Sequence, residues 1–208
     1  MTVWDNIYKK HLRSGEGYGT ISKDIYPLFI QFIRETNFIE KSALDIGFGT
    51  GKYLKLLQEA EFQVAGIDNS EMAVEMTKEL LGRDADLRLA NMYNYQIPKD
   101  RYDLVLSVST LHHGTKEEVK DLIKNIYDSL LPSGKVFITL PDYTESWHAK
   151  SKDLKEISKG TYIHLTGPEK DLPHSLFSEA EIKSMFLSFK DVSMNSQSGR
   201  WFVMAIKD

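Results

Sequence analysis

The 208 residues, 41% hydrophobic and 27% charged with a formal net charge of -4, are enough to bury one sizeable core and present an ordinary mixed surface. That balance lacks the basic excess with which proteins neutralise phosphate, so a small or neutral partner is expected rather than nucleic acid. Cysteine is absent, which excludes disulfides, cysteine-ligated zinc and iron–sulfur clusters, and covalent thiol catalysis.

The opening Met1-Thr2-Val3-Trp4-Asp5 has neither a basic nor an apolar leader region. No apolar run approaches the roughly 18 to 20 residues of a membrane span, so a cytoplasmic protein without membrane attachment is expected. Trp4, Ile7, Tyr8 and His11 or Leu12 recur at helical spacing, which predicts a short amphipathic helix before the glycine-punctuated stretch Ser14 to Gly19. A second helix follows, with Pro27 near its start. Residues 1–38 thus form a helical segment that is either a lid or a plain lead-in.

From Ser42 short apolar runs alternate with helical stretches, the pattern of a parallel sheet covered by helices. Strands are expected at Ala43–Ile46, Gln63–Ile67, Leu87–Ala90, Leu104–Val108 and Val136–Leu140, and helices near Lys52–Ala60, Glu71–Leu81 and Lys116–Leu131. Thr115-x-x-Glu118 and Ser178-x-x-Glu181 are capping boxes that open helices. Between Pro141 and the second box lies a stretch of mixed polarity with scattered aromatics. Two strand-like segments, Asp191–Asn195 and Arg200–Ile206, close the chain as an antiparallel pair.

The segment Asp45-Ile46-Gly47-Phe48-Gly49-Thr50-Gly51 carries a strand into three alternate glycines and then a helix, the position where ligands bind in open α/β sheets. A Walker A loop is unlike it, because Ile46 and Tyr53 stand where glycine and a magnesium-binding hydroxyl are needed. The dinucleotide spacing is broken by Lys52 in place of the third glycine, which leaves a hydride-transferring dehydrogenase as a third reading. Taken singly, the glycines also suit a tight turn, and Asp68 suits a cap for the helix starting near Ser70.

Asp45-x-Gly47-x-Gly49-x-Gly51 followed by Val64-Ala65-Gly66-Ile67-Asp68 resembles the first two motifs of the class I S-adenosylmethionine-dependent methyltransferases, over roughly residues 40 to 140. The resemblance implies one α/β domain over 1–208, a three-layer Rossmann-like fold with a seven-stranded, mostly parallel sheet and an antiparallel final strand. It also implies S-adenosylmethionine as cofactor. Asp68 matches the acid that binds both ribose hydroxyls, and Asp45 the acid beside the methionine ammonium. Gly47, Phe48, Gly49 and Gly51 match the cofactor loop, with Asn69 following Asp68. Asn91 and Met92 match the segment near adenine, where the family usually has an acid. Ser107 ends the strand facing the methionine moiety.

The sulfonium already activates the methyl, so alignment of the acceptor is the main catalytic task and a base is needed only for a protonated acceptor. Ser107-Val108-Ser109-Thr110 lacks the signature of amino-nitrogen methylation, and the fourth strand lacks the metal-binding aspartate of catechol-type enzymes; no metal site is expected. His112 is the first candidate base and His113 the second. Tyr162 and His174 are further candidates in an acceptor-side insertion at 141–177. A loose similarity to small tellurite- and thiopurine-type methyltransferases favours a thiol or chalcogen acceptor, with a metabolite oxygen or nitrogen close behind. The protein is expected to act as a monomer or homodimer, the alternative being a non-catalytic cofactor-binding scaffold.

Overall fold

The computed structural model describes residues 1–14, 24–144 and 152–208. The glycine-punctuated stretch after Ser14 lies outside the described residues. Helix α1 (Val3–Ser14) and helix α2 (Pro27–Glu35), with proline in its first turn, precede the sheet. Strand β1 (Ser42–Ile46), α3 (Lys52–Glu59), β2 (Gln63–Asp68), α4 (Glu71–Leu81), β3 (Asp86–Leu89) and β4 (Tyr102–Ser107) then alternate. Helix α5 (Lys116–Ser129) leads into the long β5 (Leu130–Pro141). Strands β6 (Leu154–Ser158), β7 (Thr161–His164) and β8 (Pro173–Ser175), helix α6 (Glu179–Met185), and β9 (Phe189–Gln197) and β10 (Arg200–Lys207) complete the chain.

The main sheet has seven strands in the order β3-β2-β1-β4-β5-β10-β9. The first five are parallel, and β10 runs antiparallel to both β5 and β9. The parallel half follows from the apolar β1, β2, β4 and β5, which are buried on both faces. Period-two alternation sorts their side chains. Leu104, Leu106, Phe137 and Phe202 pack with Phe29 of α2 and Tyr53 and Leu57 of α3, whereas Val105, Val136, Ile138 and Val203 pack with Val119, Ile123 and Ile126 of α5 and Ile182 of α6. These two clusters join the sheet to the helices on either face, which makes three layers.

Both capping boxes form: Thr115 and Ser178 accept from the N–H groups of Glu118 and Glu181, whose carboxylates reach back. The observed elements match those expected to within a few residues except in two places. Strand β5 starts earlier, at Leu130, because the Pro132-Ser133-Gly134 turn lies within its pairing with β4. The mixed-polarity stretch contains a separate antiparallel sheet, β6-β7-β8, that the sequence reading left without structure.

Candidate active site

A cavity of about 610 Å³ opens beyond the carboxyl ends of β1, β2 and β4, where the strand order reverses direction. Its floor is the glycine loop. Gly47 and Gly49 have φ of 75° and 55°, in the left-handed region that favours glycine. A Cβ on Gly47 would collide with the Thr110 side chain, and one on Gly49 would lie 2.8 Å from the Tyr8 hydroxyl. The glycines therefore admit two walls of the cavity as well as a bend in the chain. Gly51 stands behind the loop, outside the lining, with its N–H donating to the Phe48 carbonyl as α3 begins.

Asp68 ends β2, is 8% exposed and accepts 2.9 Å hydrogen bonds from the N–H groups of Gly49 and Ser70, one on each oxygen. Burial pushes its carboxyl up, the N–H groups of Gly49, Ser70 and Asn69 pull it back, and the balance lies at about 6. A carboxylate has about four acceptor positions, so these bonds leave capacity for two ligand hydroxyls. Asp45 is 2% exposed and its Oδ2 has no hydrogen-bond partner among the described residues. Burial and then the Asp68 charge raise its carboxyl well above the usual range, against the attraction of Lys52. A buried carboxylate oxygen left unpaired on the wall of a cavity is costly by itself and fits a cationic ligand group.

Asn69, Ala90, Asn91 and Met92 line the adjoining side. The Asn91 Oδ1 accepts from the Tyr93 N–H at 3.0 Å, which fixes the amide orientation and leaves that oxygen one lone pair. Ser107 is buried outside the lining, its side chain donating to the Ile46 carbonyl at 2.7 Å and so tying β4 to β1. The residues after it, Val108, Ser109 and Thr110, form that wall.

The opposite wall comes from parts of the chain that sequence reading did not assign to the cofactor. Trp4 and Tyr8 of α1, with Tyr26, Tyr53 and Tyr93, line it. Helix α1 is held there by Asp5, which accepts from the Ser70 hydroxyl and from the Met72 and Thr2 N–H groups at 2.6, 3.3 and 2.6 Å. Burial pushes the Asp5 carboxyl up, but these hydrogen bonds outweigh it and bring it down to about 2.

Of the two adjacent histidines, His113 lines the cavity, with the Trp4 ring 5.0 Å away, and His112 lies 3% exposed behind it. Of the two candidates, the second therefore reaches the cavity lining and the first does not. Because strand β4 ends at Ser107 and the chain turns over 108–114, the side chain of position 113 is the one that reaches the cavity lining. Burial and the neighbouring His174 ring press the His113 imidazolium down to about 3, against Glu169 and the backbone at Pro173 and Ser109, so the ring is neutral. Tyr162 and His174 lie outside the lining; Leu172 and Pro173 represent the insertion there instead. Tyr162 sits beside Tyr143 and Glu156, where burial and those two groups push its phenol up to about 12.

A doubly covered sheet with a glycine loop, an acid ending β2 and a buried acid on β1 defines a class, the α/β folds whose cavity lies at the strand ends beside a glycine loop. Comparison with known proteins shows what the chain is similar to. Residues 43–134 match a family described as a methyltransferase domain. An uncharacterized methyltransferase of Anoxybacillus flavithermus is 26% identical over 139 residues, which cover 65% of this chain and 64% of the relative, just under two thirds of its length. A ubiquinone biosynthesis O-methyltransferase of Hydrogenovibrio crunogenus is 29% identical, over 78% of this chain and 67% of its own. Among solved structures, a Burkholderia thailandensis 1,6-didemethyltoxoflavin-N1-methyltransferase with bound 1,6-didemethyltoxoflavin and S-adenosylhomocysteine superposes with a TM-score of 0.66 at 15% identity, over 99% of this chain and 87% of that one. Residues 43–134 are thus similar to a methyltransferase domain, and the fold is that of solved S-adenosylmethionine-dependent methyltransferases. The unpaired Asp45 oxygen and the Asp68 carboxylate suit the ammonium and the ribose of that cofactor.

Proposed function

We propose that the protein methylates a small molecule whose nucleophilic atom arrives already deprotonated, a thiolate or another chalcogen anion first and a ring nitrogen second. The neutral His113 at the acceptor end of the cavity carries this reading. Bound S-adenosylmethionine supplies a methyl on a positive sulfur, and an acceptor lone pair forms the new bond as the sulfur–carbon pair returns to sulfur. Around that displacement the chain's own residues position and desolvate. Trp4, Tyr8, Tyr26 and Tyr93, with Leu172 and Pro173, make a largely apolar, aromatic enclosure that suits a small flat acceptor. An imidazole whose conjugate acid lies near 3 is a weak proton acceptor, which disfavours an alcohol that His113 would have to deprotonate.

The test is calorimetric titration with S-adenosylmethionine and S-adenosylhomocysteine, with NADH as control, followed by acceptor screening for release of S-adenosylhomocysteine. Binding of both sulfur ligands with turnover on thiols or heteroaromatic nitrogens is expected. Binding without turnover on any acceptor would leave a scaffold, and turnover confined to alcohols would overturn the assignment of the acceptor.

A further inference from the structure

Four of the chain's six histidines gather behind the acceptor end of the cavity. His164 ends β7, His174 lies in β8, and Glu169 sits in the connection between them, so that the three fall in a regular His-x4-Glu-x4-His spacing. That connection is folded back on itself. The Asp171 N–H donates to the His164 carbonyl at 3.0 Å and the Leu172 N–H to the Glu169 carbonyl at 3.1 Å, with Gly167 at a φ of 86° making the bend. Each of the three residues is buried, and their ligand-type atoms all lie within 4.8 Å of one another.

The tautomer of His174 is fixed by its surroundings. Its Nδ1 is 2.9 Å from the Leu172 carbonyl oxygen, which can only accept, so Nδ1 carries a hydrogen. Its Nε2 is 2.7 Å from a Glu169 carboxylate oxygen, with side-chain exposures of 0% and 7%. A nitrogen lone pair and a carboxylate oxygen at that separation, out of water, require a positive charge between or beside them. A proton would join two of the three groups. A metal ion joins all three, and an imidazole that donates its other N–H to a backbone carbonyl is the usual setting of a metal-bound histidine.

We propose that His164, Glu169 and His174 hold one divalent transition metal ion, of the zinc, cobalt(II) or iron(II) kind. Two imidazoles and a carboxylate are the nitrogen and oxygen donors these ions accept, and no thiolate is available. On the cavity side stands His113, whose ring centroid is 4.8 Å from that of His174. His112 and His113 converge on the same His174, so further imidazole donors adjoin the site. The ion clips the 165–172 connection, from whose end Leu172 and Pro173 enter the cavity wall. The metal thus sets the acceptor wall without taking part in cofactor binding.

The probe is the metal alone. Protein produced without an affinity tag, stripped with a chelator, is titrated with Co²⁺ and separately with Zn²⁺. One ion per chain is expected, with the ligand-field absorption of low-coordinate Co²⁺, and bound Zn²⁺ should raise the melting temperature. Glu169→Gln and His164→Ala, checked for fold by circular dichroism, should each weaken binding at least about tenfold. His11→Ala, on α1 at the far end of the chain, should leave it unchanged. The proposal is overturned if the folded wild-type protein takes up no stoichiometric ion, or if both ligand variants bind as the wild type does.

Discussion

At the residue scale, the two carboxyls of the cofactor cavity are held in a state the protein alone does not favour. Asp68 rises from 3.8 to about 6 through burial, so the folded chain binds its proton more tightly than the unfolded chain. Its contribution to stability is therefore complete below about pH 4 and is lost as pH rises to about 6, a fall on the order of 3 kcal/mol. Asp45, also raised, acts in the same direction. Melting of the ligand-free protein between pH 4 and 6 should show this decline, and Asp68→Asn should remove the Asp68 share while weakening S-adenosylmethionine binding at pH 7. An Asp68→Asn profile parallel to the wild type would show that burial does not raise this carboxyl. Both acids are legible in the sequence because a strand running into alternate glycines announces where the ligand lies. The placement of Ser107 and Gly51 outside the cavity lining was less so, since a single residue's turn about a strand end decides whether its side chain faces the cavity or the sheet.

At the element scale, α1 is a cavity wall because one carboxylate fastens it. Asp5 accepts three hydrogen bonds, two of them from Ser70 and Met72 at the start of α4. Hydrogen bonds to a charged acceptor contribute about 1.5 to 3 kcal/mol each and are not additive, so Asp5→Ala should cost on the order of 3 kcal/mol in urea unfolding. The Asp5 contribution is present above about pH 4 and is lost as pH falls toward 2, the opposite sense to Asp68. Because Trp4 and Tyr8 travel with α1, the same variant should weaken S-adenosylmethionine binding several-fold; unchanged affinity would separate the helix from the cofactor. The helix itself was readable from its apolar spacing, but its docking was not. Contacts between Asp5 and Ser70 join distant parts of the chain, and periodicity reports only neighbours. Likewise β6 exposes nearly all its residues, so it lacks the apolar run by which β1, β2, β4 and β5 could be recognised.

At the scale of the whole molecule, the cavity is where separately packed parts meet. Phe48 and Tyr8 belong to the cluster of α1 and α4, Tyr53 to that of α2 and α3, and Met92 and Tyr93 pack against that of α5 and α6. All of them line the cavity. A ligand seated there bridges groups that the sheet alone connects only through its strand ends, and a cationic group on it would offset the buried Asp45 carboxyl that opposes folding at neutral pH. Such a ligand should stabilise the chain as one unit. At a hundredfold excess over its dissociation constant the gain is about 2.7 kcal/mol, which for a chain of this size is a rise of roughly 5 to 10 °C in melting temperature. S-adenosylhomocysteine should produce that shift, and hydrogen exchange should slow together in α1, in the 47–51 loop and in the 108–114 turn. Protection confined to the glycine loop would mean that the aromatic walls close independently of the cofactor, and that α1 answers to the acceptor instead.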